Sequence, residues 1–260
     1  MSCCHGAHIA LDPYELARLA RNRGLSTTEF IARYLTEGGI VLRNREDASC
    51  IMLGAGACTV YADRPQICRT YPLKRLRAQG PEVFVQYRQL PTSTGVYGAG
   101  GTIGDFLSEQ CAEDYFTAKD RYCGIAFRIV SALGAAARRE PQCFGRLRDL
   151  IDAHCAFKTA AVPALVDVDR VVRDYCARRG IALPDSPEER IALHLRAIEE
   201  RIDALSAALQ TDRADGPDRE ENLMEMAAFA GALGAAVEVD ITRAFIDEAF
   251  GRRTADASGA

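Results

Sequence analysis

The clearest alternation of apolar and polar positions lies in residues 188–210. Ile191, Leu195, Ile198, Ile202, Leu205 and Leu209 recur at spacings of 4-3-4-3-4. That period puts all six on one stripe of an α-helix. It predicts a helix packed within its own bundle, with a short dimeric coiled coil as the sharper alternative. Two earlier segments also predict helices. In residues 11–24 (LDPYELARLARNRG), Asp12 caps the start, Pro13 suits the first turn and Gly24 ends it. In residues 26–37 (STTEFIARYLTE), Ser26 and Glu29 form an S-x-x-E capping box and Gly38-Gly39 stops the helix.

Between residues 40 and 61 the pattern changes. IVLRN, CIML and CTVY are short β-rich pieces separated by Asn, Asp and Gly, and VFVQYRQL from Val83 is a further strand candidate. The glycine-rich stretch 95–104 reads as a loop. It has no GxGxxG following a strand and so predicts no dinucleotide site. From Ile103 the text is helical almost to its end, with breaks near Pro141, Pro163, Gly180 to Pro187 and Asp215 to Pro217. The expected fold is mainly α (α+β). A small cysteine-rich α+β unit spans 1–130, and an alanine-rich helical region spans 131–260.

Composition narrows the function classes. The 260 residues are 48% hydrophobic and 26% charged, ordinary values for a globular chain. Trp is absent and aromatics are 7%, so the core has to be built from Ala, Leu, Ile and Val. A formal net charge of −4 gives no basic excess for nucleic acid. The longest apolar stretch, Met226 to Val237, is too short to cross a bilayer, which takes about 20 residues. No basic region followed by an apolar run opens the chain, and a cytoplasmic location is expected.

In that reducing setting the ten cysteines are poor disulfide candidates. Their surroundings sort them. Cys3, Cys4, Cys50, Cys58 and Cys68 sit in turn-rich text, where backbone can bend thiolates toward one centre. Soft thiolates suit zinc, copper(I) or iron–sulfur clusters. Cys143, Cys155 and Cys176 lie in alanine-rich helical text and are expected to pack as small hydrophobes. Cys111 and Cys123 lie on an expected helix close to the first unit. His5 and Cys111 are candidate additional ligands. His154 and His194 sit on helices without an identifiable partner. Arg64 and Arg69 flank Cys68 and place positive charge near thiolates, which is expected to lower thiol pKa. The alternative is that both arginines pair with surface carboxylates.

The segment C-T-V-Y-A-D-R-P-Q-I-C-R-T-Y-P at 58–72 carries a resemblance. Cys58, Tyr61, Arg64, Pro65, Cys68, Arg69, Tyr71 and Pro72 match the closing motif of the YkgJ-type cysteine-cluster family, a zinc- or iron-chelating CxxCxxCC domain. Cys50 resembles its intermediate cysteine, and Cys3 and Cys4 its terminal CC pair. The family's opening C-x-x-C is absent, and the expectation is that the natural start lies upstream of Met1. The resemblance implies a zinc or iron site, an iron–sulfur cluster being one form of it. Its ligands would be Cys3, Cys4, Cys50, Cys58 and Cys68, with Tyr61, Arg64 and Arg69 around them.

A similar cysteine pattern in flagellin lysine N-methylases implies an alternative, a metal-assisted redox or methyl-transfer enzyme. The sequence shows no methyl-donor motif, Ser-His-Asp arrangement, P-loop or HExxH. A protein partner docking on the helical region, or a homodimer through the 191–209 stripe, completes the expectations.

Overall fold

A computed structural model describes residues 2–36, 40–76, 82–88, 100–155, 165–210 and 217–251. The architecture is mainly α with one short two-stranded sheet. The expected stops at Gly38-Gly39 and Pro163, most of the Asp215–Pro217 break and half of the 95–104 loop lie outside the described residues.

The first helix, α1 (Pro13–Asn22), begins where predicted, and Asp12 forms a reciprocal capping box with Glu15. Gly24, at φ 66°, turns the chain out of the helix. Helix α2 (Thr27–Tyr34) carries the expected Ser26–Glu29 capping box. The next stretch departs from expectation. IVLRN, CIML and CTVY form no strand ladder. They are joined by isolated bridges, among them Ala10–Val41, Leu35–Leu42, Asn44–Cys50 and Leu53–Cys58. Their apolar residues Ile40, Val41, Leu42 and Met52 are still buried. Core burial, not sheet formation, accounts for their hydrophobicity.

A short helix α3 (Gln66–Thr70) follows. Beyond the cis Tyr71–Pro72 bond, β1 (Leu73–Leu76) pairs antiparallel with β2 (Val83–Gln86), Leu73 opposite Gln86. The partner strand β1, sequence LKRL, was not legible in the apolar pattern. Helix α4 (Ile103–Glu109) leads to α5 (Glu113–Arg139), a single 27-residue helix that passes through residue 130 without a break. Then come α6 (Phe144–Cys155), α7 (Val168–Arg179), α8 (Pro187–Gln210), α9 (Pro217–Val237) and α10 (Ile241–Ala249).

The six stripe residues of α8 are all buried, each no more than 9% exposed. Helix α8 packs on α1, α5, α7 and α9 of its own chain, so the bundle reading holds. At about 2 kcal/mol for each fully buried Leu or Ile, the stripe is a main anchor of the helical half. One continuous core runs from Ile9 to Phe245.

Candidate metal centre

Three local features deliver five cysteines to one region. A turn of 3₁₀ helix at Ser2–Cys4 carries Cys3 and Cys4. The bridged loop carries Cys50 and Cys58, and α3 carries Cys68. Backbone bonds tie the first two of these pieces together. The Cys50 N–H donates to the Cys4 carbonyl at 2.7 Å, and the Leu53 N–H donates to the Cys50 carbonyl at 2.9 Å. Leu53 in turn bridges Cys58.

The thiols act on one another. Burial, then Cys3, Cys50 and Cys58, push the Cys4 thiol up to about 12. Burial, then Cys58 and Cys3 among its neighbours, raise Cys50. Burial raises Cys68 well above the ordinary thiol range, with Cys50, Glu15, Cys58 and Cys4 adding to it. Cys68 nevertheless opens to solvent. A cation placed among these thiols would favour their charged form and reverse the shifts.

The expectation that Arg64 and Arg69 lower the thiols is not met: neither stands among the leading influences on Cys68, and the arginine that lowers a candidate thiol is Arg45, acting on Cys50. Arg64 and Arg69 are buried, and among the described residues neither pairs with a surface carboxylate. Arg64 donates to the Tyr61 carbonyl at 2.7 Å and to Gln110 Oε1 at 2.5 Å, and its guanidinium lies 3.9 Å from the centre of the Tyr61 ring. Arg69 donates to the carbonyls of Gln110 and Ala62, both at 2.6 Å, and to the Tyr115 hydroxyl at 3.0 Å. These planar forks clamp the cysteine loop to the α4–α5 turn. Their work is to hold backbone.

A residue the sequence reading passed over fixes α3 from the other side. Glu15 is buried and accepts the Asp12 N–H at 3.0 Å and the Gln66 N–H at 2.6 Å. It thereby holds the first residue of the helix that carries Cys68. Burial raises Glu15, offset in part by Lys119 and these two N–H groups. Burial by itself would lower Lys119, but Glu15, Glu238 and Asp12 outweigh it and raise the ammonium. The D-x-x-E spacing at 12–15 could have flagged the capping box. The long-range bond to Gln66 left no local signal.

The remaining candidates are placed as follows. His5 is exposed and bridges Ser49 beside the cysteine turn. Cys111 is exposed at φ 49°, next to the Gln110 that both arginines hold. Cys123 and Cys176 are buried, and Cys143 and Cys155 are half-buried, in line with the packing role expected of the helical cysteines. His194 does have partners: its Nδ1 lies 2.9 Å from the Tyr122 hydroxyl and its Nε2 2.9 Å from the Leu165 carbonyl.

The donor chemistry fits a thiophilic metal, but the geometry is not a closed ligand shell. Cys3 and Cys4 Sγ are 3.9 Å apart. Tetrahedral zinc with Zn–S of about 2.3 Å needs S···S of ~3.8 Å, so this pair already has the spacing. Among the described residues, no three Cys, His, Asp or Glu side chains are grouped closely enough to ligate one ion as they stand. Chelation would draw the Cys50, Cys58 and Cys68 thiols inward. Metal binding and final ordering of the loop are coupled in that way in small thiolate sites.

Comparison with known proteins agrees with the cysteine text. Residues 1–124 match the family model CxxCxxCC, described as "Putative zinc- or iron-chelating domain". No curated protein and no solved structure matches the chain. No helix among the described residues is long and apolar enough to cross a membrane.

Proposed function

We propose that this chain chelates zinc or iron through Cys3, Cys4, Cys50, Cys58 and Cys68, and that the helical remainder serves as the rigid support of that site. The observation that carries the reading is the match of residues 1–124 to a zinc- or iron-chelating family model, with the Cys3 and Cys4 sulfurs 3.9 Å apart and the Cys50 N–H bonded to the Cys4 carbonyl. A cation among thiols favours their charged, metal-binding form. Glu15, Arg64 and Arg69 support the reading as well, because each holds backbone that carries or flanks a cysteine. A reducing compartment, which keeps such thiols free, is part of the proposal.

The test is elemental analysis with a visible spectrum on protein purified anaerobically. Stoichiometric zinc without colour identifies a structural or regulatory thiolate site. Iron with a broad visible band identifies a cluster. The variant Cys58→Ser/Cys68→Ser should lose at least half of the bound metal, while Cys155→Ser should retain all of it. Metal-free protein in every preparation, including one supplied with both metals during expression, sinks the proposal.

A further inference from the structure

The cysteine site uses one side of α3. The opposite side of that helix faces a cleft of about 410 Å³, bounded by β1, α5 and the turn between α9 and α10. Its size falls in the range of about 300–1,000 Å³ typical of small-molecule sites. None of the five candidate ligand cysteines lines it.

The wall is largely apolar. Ile67 contributes from α3, Phe116 from α5, Val237 from α9, and Val239 from the turn. Charged groups interrupt it, and most are already matched. Arg75 donates to both carboxylate oxygens of Asp120, at 2.9 and 3.0 Å, and also pairs with Glu82. Lys119 pairs with Glu238 at 2.9 Å. Asp240 accepts the Arg243 N–H as the cap of α10. Lys74 is the exception: it is half-buried on β1, at the wall of the cleft, and its ammonium has no acceptor among the described residues. An apolar concavity with one unmatched cation has the complement of an amphiphilic anion.

The turn that closes the cleft is held in an unusual conformation. Glu238 sits at φ 58°, a region that side-chain-bearing residues enter at a cost. It stays there because the Val239 N–H donates to the Gly234 carbonyl at 3.0 Å and the Glu238 carboxylate meets Lys119. The conformation brings Glu238 and Val239 to the cleft wall.

We infer that this cleft binds a small molecule with an apolar body and a single carboxylate-class head, the head seated against Lys74 and the body against Phe116, Val237 and Val239. The site joins the metal-chelating segment to the C-terminal helices, so it requires both halves of the chain. It is independent of whether the cysteines hold a metal.

Octanoate, below its micellar concentration, is the probe, with octylamine as the cationic control of equal length. Calorimetry on the full chain should show saturable one-to-one binding of octanoate and none of octylamine. Amide shifts should concentrate in residues 70–76, 116–123 and 237–240. Lys74→Gln should weaken binding about ten-fold, as expected for losing one charge-assisted contact, and Lys74→Arg should largely keep it. Val239→Phe, which narrows the cleft from its rim, should weaken octanoate with Lys74 intact. Circular dichroism confirms that each variant is folded. Absence of saturable binding overturns the inference. So does equal binding of octylamine, or undiminished binding in Lys74→Gln.

Discussion

At the scale of single residues, buried polar groups hold this molecule to one arrangement, and His194 shows how. It is fully buried on α8, and both ring nitrogens are matched in the neutral form. Nε2–H donates to the Leu165 carbonyl, and Nδ1 accepts the Tyr122 hydroxyl proton. Burial pushes its pKa down from 6.5 to about 4, against the upward pull of Leu165 and Asp167. The folded state therefore binds fewer protons than the unfolded state in the window between those values. Stability from this group is full above pH 6.5, falls as pH drops toward 4, and levels off below. A 2.5-unit shift corresponds to about 3 kcal/mol. Urea unfolding between pH 7 and pH 4 should show this loss. The slope attributable to the group should vanish in His194→Gln, which is less stable at pH 7 but flatter with pH. An unchanged slope in the variant would mean that other groups carry the acid sensitivity.

At the scale of elements, packing depends on close approaches that the sequence only half reveals. Helices α6 and α9 meet across Gly231, where an added Cβ would lie 2.5 Å from the His154 Cβ and 2.7 Å from the Ile151 carbonyl oxygen. The backbone oxygen cannot swing aside, so the helices would have to separate. Gly231→Ala should gain helix propensity worth about 1 kcal/mol. It should still lose about 1–3 kcal/mol net through overpacking, read as a lowered midpoint in thermal or urea unfolding. A stabilised variant would show that the two helices are not in this contact.

The same contrast explains what was legible. The caps at Asp12 and Ser26 and the six-residue stripe of α8 are local patterns, and they appear where read. The segments around Cys50 and Cys58 resembled strands because buried loop residues are also β-branched or aliphatic. β1 was missed because Lys74 and Arg75 interrupt its apolar run. The candidate cysteines could be chosen from turn context, whereas Glu15 reaching Gln66, 51 positions away, has no local signature.

At the scale of the whole molecule, the two halves share their core and their polar joints. Thr27 and Thr28 on α2 donate to Asp167 at 2.6 and 2.7 Å, and the Thr27 N–H donates to Asp169 at 2.7 Å. The Asp169 N–H returns a bond to Thr27 Oγ1 at 2.9 Å. The start of α2 and the start of α7, 140 residues apart, thus complete each other's backbone and side-chain bonding. Helix α5 runs through position 130, and Ile125, Ile129, Val130 and Leu133 on it are all buried. A fragment ending at residue 130 would strip partners from α1 and α2 and expose the inner face of α5. It should lose the single cooperative transition of the full chain and bind hydrophobic dye. Added zinc is the informative variable. Thiolate chelation can contribute roughly 10 kcal/mol to a small fold, enough to offset much of the lost burial around the cysteine loop. A fragment that orders residues 2–76 only with metal would locate the support of the site in the thiolates. A fragment that folds cooperatively without metal would mean that the C-terminal helices are not needed to hold the cysteines together.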